Sequence, residues 1–364
     1  MIGLLEPLVR PLLRLLDAET AHRLAIAALK IPPFVKLTAD DPGLGVRAFG
    51  LNFPNPVGMA AGFDKHAEVP DALLAHGFGF VEVGTVTLRP QAGNPRPRVF
   101  RLPRDEGVIN RLGFNSEGAD IVLRRLAARA NRGGIVGINI GANKESADRI
   151  GDYVRLIETF AAVVGYFAVN ISSPNTPGLR ELQRPDALDT LLTRVMEARA
   201  RASSIAGITP VLIKIAPDLT LGELDDIVGA ARRHRVDGMI VGNTTVTRPA
   251  SLRQGERAKQ AGGLSGRPLL PLANRMLAET YVRAEGVFPL VGAGGVDSGT
   301  SALAKIRAGA SLVQVYSGLV FGGLGLVAEI KAALLAALAR DNRPSLGDYV
   351  GADAASITAQ GWPR

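Results

Sequence analysis

Eight short runs of almost uninterrupted apolar residues recur from Leu51 onward, around 55–60, 79–85, 134–140, 164–171, 211–216, 236–242, 288–293 and 311–316. Stretches of helical period lie between most of them, such as Val69 to Ala75, Ala119 to Ala130, Asp186 to Ala202, Leu221 to Arg233 and Leu269 to Arg283, and a last one runs from Val327 to Ala339. A strand that is apolar on both faces has to be covered on both faces, as happens in a parallel sheet wrapped by helices. Eight strand–helix units therefore predict an α/β fold closed into a parallel (β/α)8 TIM barrel rather than an open sheet. With 364 residues the chain has room for one such barrel and an appendage. The expected division is an N-terminal helical extension over 1–40, the barrel over 41–340 and a C-terminal tail over 341–364. Insertions near 88–112 and 243–268, rich in Gly, Pro and Arg, are too long for plain connectors and read as lids or substrate walls.

The extension reads as an α-helical hairpin. Leu4, Leu8, Leu12 and Leu15 line one face of its first helix; Asp17 caps a second, striped by Ala21, Leu24, Ala25 and Ala28 and stopped by Pro32-Pro33. A hairpin packed on the barrel and a hairpin dipping into a membrane surface, with Arg10, Arg14, Arg23 and Lys30 meeting anionic head groups, both fit these residues. Glu6, Pro7, Arg10 and Pro11 argue against a signal peptide, and the glycines of Ala308 to Ala328 argue against a membrane span, so a cytoplasmic protein is expected. The net charge of +8 favours anionic partners, yet scattered Arg and only 5% aromatic residues speak against nucleic acid. No Cys is present, which removes disulfides, thiolate zinc sites, cysteine-held iron–sulfur clusters and any cysteine base. His22, His66, His76 and His234 show no metal-ligand spacing, so no metal is expected.

In such barrels functional residues stand at the C-terminal strand ends. Those ends carry Lys65, Thr85, Asn139, Asn170, Lys214, Asn243 with Thr244, then Gly292, Gly294 and Gly295, and finally Tyr316 with Ser317. Amides and ammonium groups at the tips of apolar strands are expensive to bury unless a polar ligand satisfies them. The segments VGAGGVDSGTSA (291–302) and YSGLVFGG (316–323) each run from strand to glycine-rich loop, a phosphate-binding arrangement. A dinucleotide fingerprint starting at Gly292 fails, because Asp297 stands where its last Gly is required. Two further polar segments stand out, the first leaving the fourth strand. NISSPNTPGLR (170–180) is pinned by proline, and NRLGFNSEG (110–118) surrounds a Gly-Phe turn with amides.

Together AAGFDK (60–65), NRLGFNS (110–116), NISSPNTPGLR (170–180), Lys214, GNTT (242–245), GGLSGRPL (262–269), GAGGV (292–296) and YSGLVF (316–321) resemble class 2 dihydroorotate dehydrogenase, the quinone-dependent flavin enzyme of pyrimidine synthesis. The resemblance implies FMN across the barrel mouth, its phosphate at Gly266, Gly295, Tyr316 and Ser317. Ala61, Gly62, Phe63, Asp64, Lys65, Thr85, Asn139, Asn170, Lys214 and Gly242 are then the other cofactor-binding residues, with Lys214 stabilising charge on the reduced ring. Dihydroorotate is implied at Lys65, Asn110, Arg111, Leu112, Gly113, Phe114, Asn170, Asn175, Asn243 and Thr244. Ser173 is the implied base, removing the C5 proton while the C6 hydride passes to the flavin and leaves orotate; by sequence alone Ser172 competes, and Thr176 is the candidate relay. His22 and Arg101 match positions at the inner end of a tunnel under the hairpin through which ubiquinone reaches the flavin. The expected setting is peripheral, at an anionic membrane surface on the cytoplasmic face of the cell membrane, without an iron–sulfur partner subunit. An FMN barrel reducing uridine in tRNA is the rival reading; it calls for a reactive Cys and an RNA-binding domain, neither of which is seen. A non-redox reading, a phosphate-binding barrel isomerase or a membrane-attached barrel without activity, is another.

Overall fold

The structure, a computed structural model, describes residues 15–32 and 39–363. Thirteen strands lie among them. In chain order they are β1 (Val46–Ala48), β2 (Leu51–Phe53), β3 (Val57–Met59), β4 (Phe80–Val86), β5 (Val99–Leu102), β6 (Gly107–Asn110), β7 (Ile135–Ile140), β8 (Phe167–Asn170), β9 (Val211–Ile215), β10 (Gly238–Val241), β11 (Gly263–Gly266), β12 (Leu290–Ala293) and β13 (Leu312–Val315). Strands β3, β4, β7, β8, β9, β10, β12 and β13 pair in parallel in that order, and β13 returns to β3, which closes the barrel. Each of the eight apolar runs supplies one stave.

Alternation along the staves explains why both faces had to be apolar. Val81 and Val83 of β4, Ile138 of β7, Val169 of β8 and Ile213 of β9 join the large core shared with the helices. The opposite set, Phe80, Ala168, Leu212, Ile240, Val291 and Leu312, fills the interior from below, where Phe53 of the antiparallel β1–β2 hairpin rises to meet it. Phe53 meets Phe80 edge-on at 5.2 Å between ring centroids, and Tyr166 follows at 6.3 Å from Phe80. Two glycines make room for these rings: a Cβ on Gly58 would fall 2.1 Å from Phe80 Cζ, and one on Gly137 2.2 Å from Tyr166 Cζ.

Helices cover the outside. Leu221–Arg233 opens with a capping box between Thr220 and Glu223, and Pro185 stands in the first turn of Pro185–Ala206, where its missing N–H is harmless. Two covering helices not singled out by period, Arg149–Phe160 and Gly299–Arg307, are capped by Asp148 and Ser298. The two long insertions do not form separate lids: β5 and β6 come from one and β11 from the other, and together they make an antiparallel sheet above the staves.

Of the hairpin extension, the second helix is Ala18–Leu29, with Asp17 accepting from Thr20 N at 3.1 Å; Leu4, Leu8, Leu12, Arg10 and Arg14 lie outside the described residues. At the other end, the segment after Arg340 packs back on the barrel helices. Tyr349 is buried with its hydroxyl donating to Ala337 O at 2.9 Å, and Arg275 donates to the carbonyls of Ile357 and Thr358 at 3.1 and 3.0 Å.

Candidate active site

At the C-terminal ends of the staves the inward positions turn polar. Thr85 donates from Oγ1 to Asn139 Oδ1 at 2.6 Å, and Asn170 Nδ2 donates to the same oxygen at 3.0 Å and to Thr85 Oγ1 at 3.2 Å. Asn170 Oδ1 in turn accepts from Ser172 Oγ at 2.9 Å, Ser172 Oγ accepts from Asn243 Nδ2 at 2.8 Å, and Asn243 Oδ1 accepts from Thr244 N at 2.8 Å. Residues far apart in the sequence are thereby joined in one chain of hydrogen bonds, which holds their amide orientations.

Beneath this layer lies a carboxylate that the sequence reading did not single out. Glu82 is fully buried on β4; its Oε1 accepts from Asn139 Nδ2 at 2.8 Å and pairs with Lys214 Nζ at 3.3 Å, while its Oε2 accepts from Gln314 Nε2 at 2.6 Å and Tyr166 Oη at 3.1 Å. Lys214, itself buried, therefore has its counter-charge inside the barrel. The signal was present: Phe80, Glu82 and Gly84 share one face of a strand whose other face is Val81 and Val83.

The adjacent serines differ. Ser172 is fully buried with its hydroxyl engaged as donor and acceptor. Ser173 Oγ accepts from Asn175 N at 3.3 Å, and its hydroxyl hydrogen has no acceptor among the described residues. Thr176, also buried, has a hydroxyl enclosed by protein without a hydrogen-bond partner. Asn175 is fixed at both ends: its Nδ2 donates to Asn110 O at 3.2 Å and its carbonyl accepts from Asn94 Nδ2 at 3.2 Å.

Lys65 donates from Nζ to Asn115 Oδ1 at 2.8 Å. Burial, with the Arg98 guanidinium nearby, pushes its ammonium down to about 8. Asn115 is a second residue missed by the sequence reading, although it stands within the 110–116 motif. Gly113 and Phe114 both adopt positive φ, +71° and +54°, which turns the Phe114 ring into the wall beside Gly141. The Arg111 side chain serves that wall: it donates to Gln260 Oε1 at 3.2 Å, Ala261 O at 3.0 Å and Pro97 O at 3.0 Å, and stacks over Phe100. Leu112 O accepts from Asn94 N at 3.0 Å. The Asp64 carboxylate likewise holds its own loop, accepting from the amides of Glu68 and Val69 at 2.8 and 2.9 Å, and burial raises its pKa to about 6.

The glycine-rich loops meet on the remaining side. Gly266 and Gly295 have φ of +90° and +80°; a Cβ on Gly266 would lie 2.2 Å from Glu106 O and one on Gly295 2.5 Å from Leu270 Cα. Ser265 and Ser317 share a hydrogen bond of 2.7 Å between hydroxyls, and a Cβ on Gly318 would strike Val296 O at 2.4 Å. Gly266, Gly295, Tyr316 and Ser317 thus form one cradle, whose glycines are closely packed and leave backbone amides unscreened by side chains, as a phosphate approached by backbone amides requires. Gly62 and Gly242 complete the rim, at φ of +105° and +117°. The residues present therefore fit a phosphorylated flavin.

The helix Ala18–Leu29 reaches the same rim. His22 packs edge-on against Phe63 at 5.2 Å and near Tyr316 at 6.4 Å; burial and the charge of Lys65 hold its pKa down to about 4. Glu19 accepts from Arg98 Nε and Nη2 at 3.1 and 3.0 Å, and Arg101 donates to Leu16 O. Among the described residues no cluster of His, Asp and Glu is arranged to hold a metal, and no helix is long and apolar enough to cross a membrane.

Comparison with known proteins agrees with this geometry. The family model for dihydroorotate dehydrogenase matches residues 43–338. Proteins named dihydroorotate dehydrogenase (quinone) from Bradyrhizobium sp. (strain ORS 278) and Rhodopseudomonas palustris (strain HaA2) are 69% and 67% identical to the chain, each over its full length and theirs. Among solved structures, the ligand-free dihydroorotate dehydrogenase of Eimeria tenella superposes with a TM-score of 0.87 at 40% identity, covering 93% of this chain and 99% of that one. The same enzyme in complex with ferulenol gives 0.88 at 38% identity, covering 93% and 96%.

Proposed function

The chain belongs to the dihydroorotate dehydrogenase family, and from that premise we propose that it oxidises (S)-dihydroorotate to orotate in pyrimidine biosynthesis, with FMN in the barrel mouth and a ubiquinone-type quinone as final acceptor. The observation that carries the mechanism is the contrast between the two serines: Ser172 is locked into the amide chain, whereas the Ser173 hydroxyl has a donor fixing its oxygen and its hydrogen left over. Gly266, Gly295, Tyr316 and Ser317 would hold the FMN phosphate, and the flavin when bound would supply a hydride acceptor for C6 and a route for electrons to quinone.

The chain's own residues do the rest. Lys65 places an ammonium and Asn115, Asn110, Asn175, Asn243 and Thr244 place amide and hydroxyl groups around a substrate that carries one carboxylate and a ring of N–H and C=O groups. Ser173 Oγ takes the C5 proton and gives up its own hydroxyl proton. Thr176, three residues on, is the next hydroxyl along the loop, and its unpartnered Oγ1 suits it to receive that proton. The enclosing loops keep water from the base, so the proton reaches solvent through this path rather than directly, Thr176 releasing its own hydroxyl proton outward as it receives that of Ser173. Lys214, fixed by Glu82, puts positive charge on the floor of the mouth, where negative charge develops as electrons arrive.

Quinone is proposed to approach under the helix Ala18–Leu29, past the uncharged ring of His22 and near Arg101. That helix buries Ile26 and Leu29 and leaves Leu24 48% exposed, with Leu16 and Ile31 at 39% and 54% beside it. An apolar edge beside Arg23, with Lys30 paired to Glu68, suits reversible, peripheral attachment to an anionic membrane, on the cytoplasmic face of the cell membrane. The test is an anaerobic titration. Purified protein should show a flavin spectrum that dihydroorotate bleaches in one equivalent and quinone restores; a colourless protein, or a flavin that dihydroorotate leaves oxidised, rejects the proposal.

A further inference from the structure

Behind the phosphate cradle lies a buried cation that the reaction does not use. Lys305, on the helix Gly299–Arg307, is 0% exposed. Apart from Lys65 in the mouth, the other buried cations among the described residues have a carboxylate partner: Arg98 with Glu19, Arg129 with Asp71, Lys214 with Glu82 and Arg275 with Glu279. Lys305 has none. Its polar contact is a long one, Nζ donating to Ala293 O at 3.5 Å. The fold nevertheless makes room for it. A Cβ on Gly292 would fall 2.5 Å from Lys305 Cγ and 2.7 Å from Cδ, so β12 omits a side chain where the lysine stem passes. The stem therefore passes on the helix side of β12 and ends at the carbonyl immediately preceding Gly294 and Gly295. Burial alone pushes the ammonium down to about 7, since no nearby charge supports it.

A buried amine without a counter-ion gives up its proton easily, and an anion brought within its field favours the charged form. We propose that Lys305 is the counter-charge of the cofactor phosphate, a positioning residue that acts through the Ala293–Gly295 turn and makes the cradle select a phosphorylated flavin over the unphosphorylated one. The inference rests on the reading of the cradle as the FMN phosphate site. Because protein between two charges screens far less than water, the ammonium is felt across the loop without touching the ligand. The coupling is reciprocal: bound phosphate stabilises the ammonium as much as the ammonium stabilises the phosphate.

The experiment compares FMN with riboflavin, which share the ring and ribityl chain and differ in the phosphate. Full-length wild type, K305M and K305R are stripped of flavin and titrated with each, and FMN release from the holoproteins is followed by the rise of free-flavin fluorescence. K305M keeps the length of the stem and removes the charge. It should bind FMN about tenfold more weakly, the scale of one weakly screened charge pair, with riboflavin affinity within about twofold of wild type. K305R keeps the charge and should keep the preference for FMN. Equal weakening of both flavins in K305M, or loss of the preference in K305R as in K305M, would show that Lys305 only shapes the loop. An unchanged FMN affinity in K305M overturns the inference outright. A wild-type protein that binds both flavins equally would instead reject the phosphate reading of the cradle, whatever the variants do.

Discussion

The two ends of the barrel interior are built on opposite principles. At the base, Phe53, Phe80 and Tyr166 stack edge to face with Leu212, Ile240 and Leu312 around them, a packing that is non-directional and needs only volume. At the mouth, Thr85, Asn139, Asn170, Ser172 and Asn243 are held by hydrogen bonds whose geometry fixes each amide. Glu82 is the joint between them, taking Tyr166 from below and Asn139 and Lys214 from above. The difference teaches where stability and chemistry are separable: changes at the base should move the melting temperature, changes at the rim should move the rate, and the joint should move both.

The largest effect is expected where that separation fails. Glu82→Ala leaves the buried Lys214 without its counter-charge and empties a fully enclosed position, a loss of about 3–5 kcal/mol. Denaturant unfolding should show the loss of stability, and flavin should be lost with it. If the variant is as stable as wild type, Glu82 does not join the two ends. Ser173→Ala should lower the rate of flavin reduction by dihydroorotate about 10²–10⁴-fold with melting temperature and bound flavin unchanged. Phe80→Ala is its mirror: about 3–5 kcal/mol of stability lost to the cavity, with the turnover of the remaining folded protein near wild type. Stopped-flow reduction alongside calorimetry separates the pair, and a Phe80→Ala protein that folds well but turns over slowly would break the comparison.

A smaller effect is expected from pH at the rim. Lys65 is held down to about 8 against an ordinary 10.5, so the free enzyme loses this cation as pH rises through 8. The substrate carboxylate then meets a neutral amine, and KM for dihydroorotate should rise by up to about tenfold per pH unit above 8, a rise that Lys65→Met abolishes. The effect on folding has the opposite sign. Between 8 and 10.5 the unfolded chain binds the proton that the folded one has released, so this group's contribution to stability grows with pH while binding weakens. A KM flat from pH 7 to 9.5 would remove Lys65 from contact with the carboxylate.

Much of this was legible in the sequence for a physical reason: a stave covered on both faces has to be apolar throughout, so eight such runs mark eight staves, and the polar residue ending each run marks the mouth. What was not legible depends on partners distant in the chain. Glu82 reads as one charge in an apolar run until the fold brings Lys214, 132 positions later, to its side. Ser172 and Ser173 are equivalent in sequence and become distinct once Asn243 closes on one of them. The insertions promised walls, yet their pairing of β6 with β11 follows no local pattern, because the Gly107–Asn110 and Gly263–Gly266 strands meet only after the barrel has closed.

The helix Ala18–Leu29 tests whether the mouth is autonomous. It joins the rim through polar contacts at its N-terminal end, where Glu19 meets Arg98, whose side chain is 6% exposed, and through His22 on Phe63. Glu19→Gln keeps the shape and removes the charge, leaving Arg98 with its backbone acceptors Ala92 O and Asn94 O at 2.8 Å each. If the helix serves the quinone side alone, reduction of the flavin by saturating dihydroorotate should stay within about twofold of wild type, while KM for a soluble quinone analogue rises a few-fold, as expected for roughly 1 kcal/mol lost when a charged partner becomes a neutral one and Arg98 keeps its backbone acceptors. A matching fall in both half-reactions would mean that helix and barrel mouth form one site, because the same guanidinium that anchors Glu19 also sets the field at Lys65.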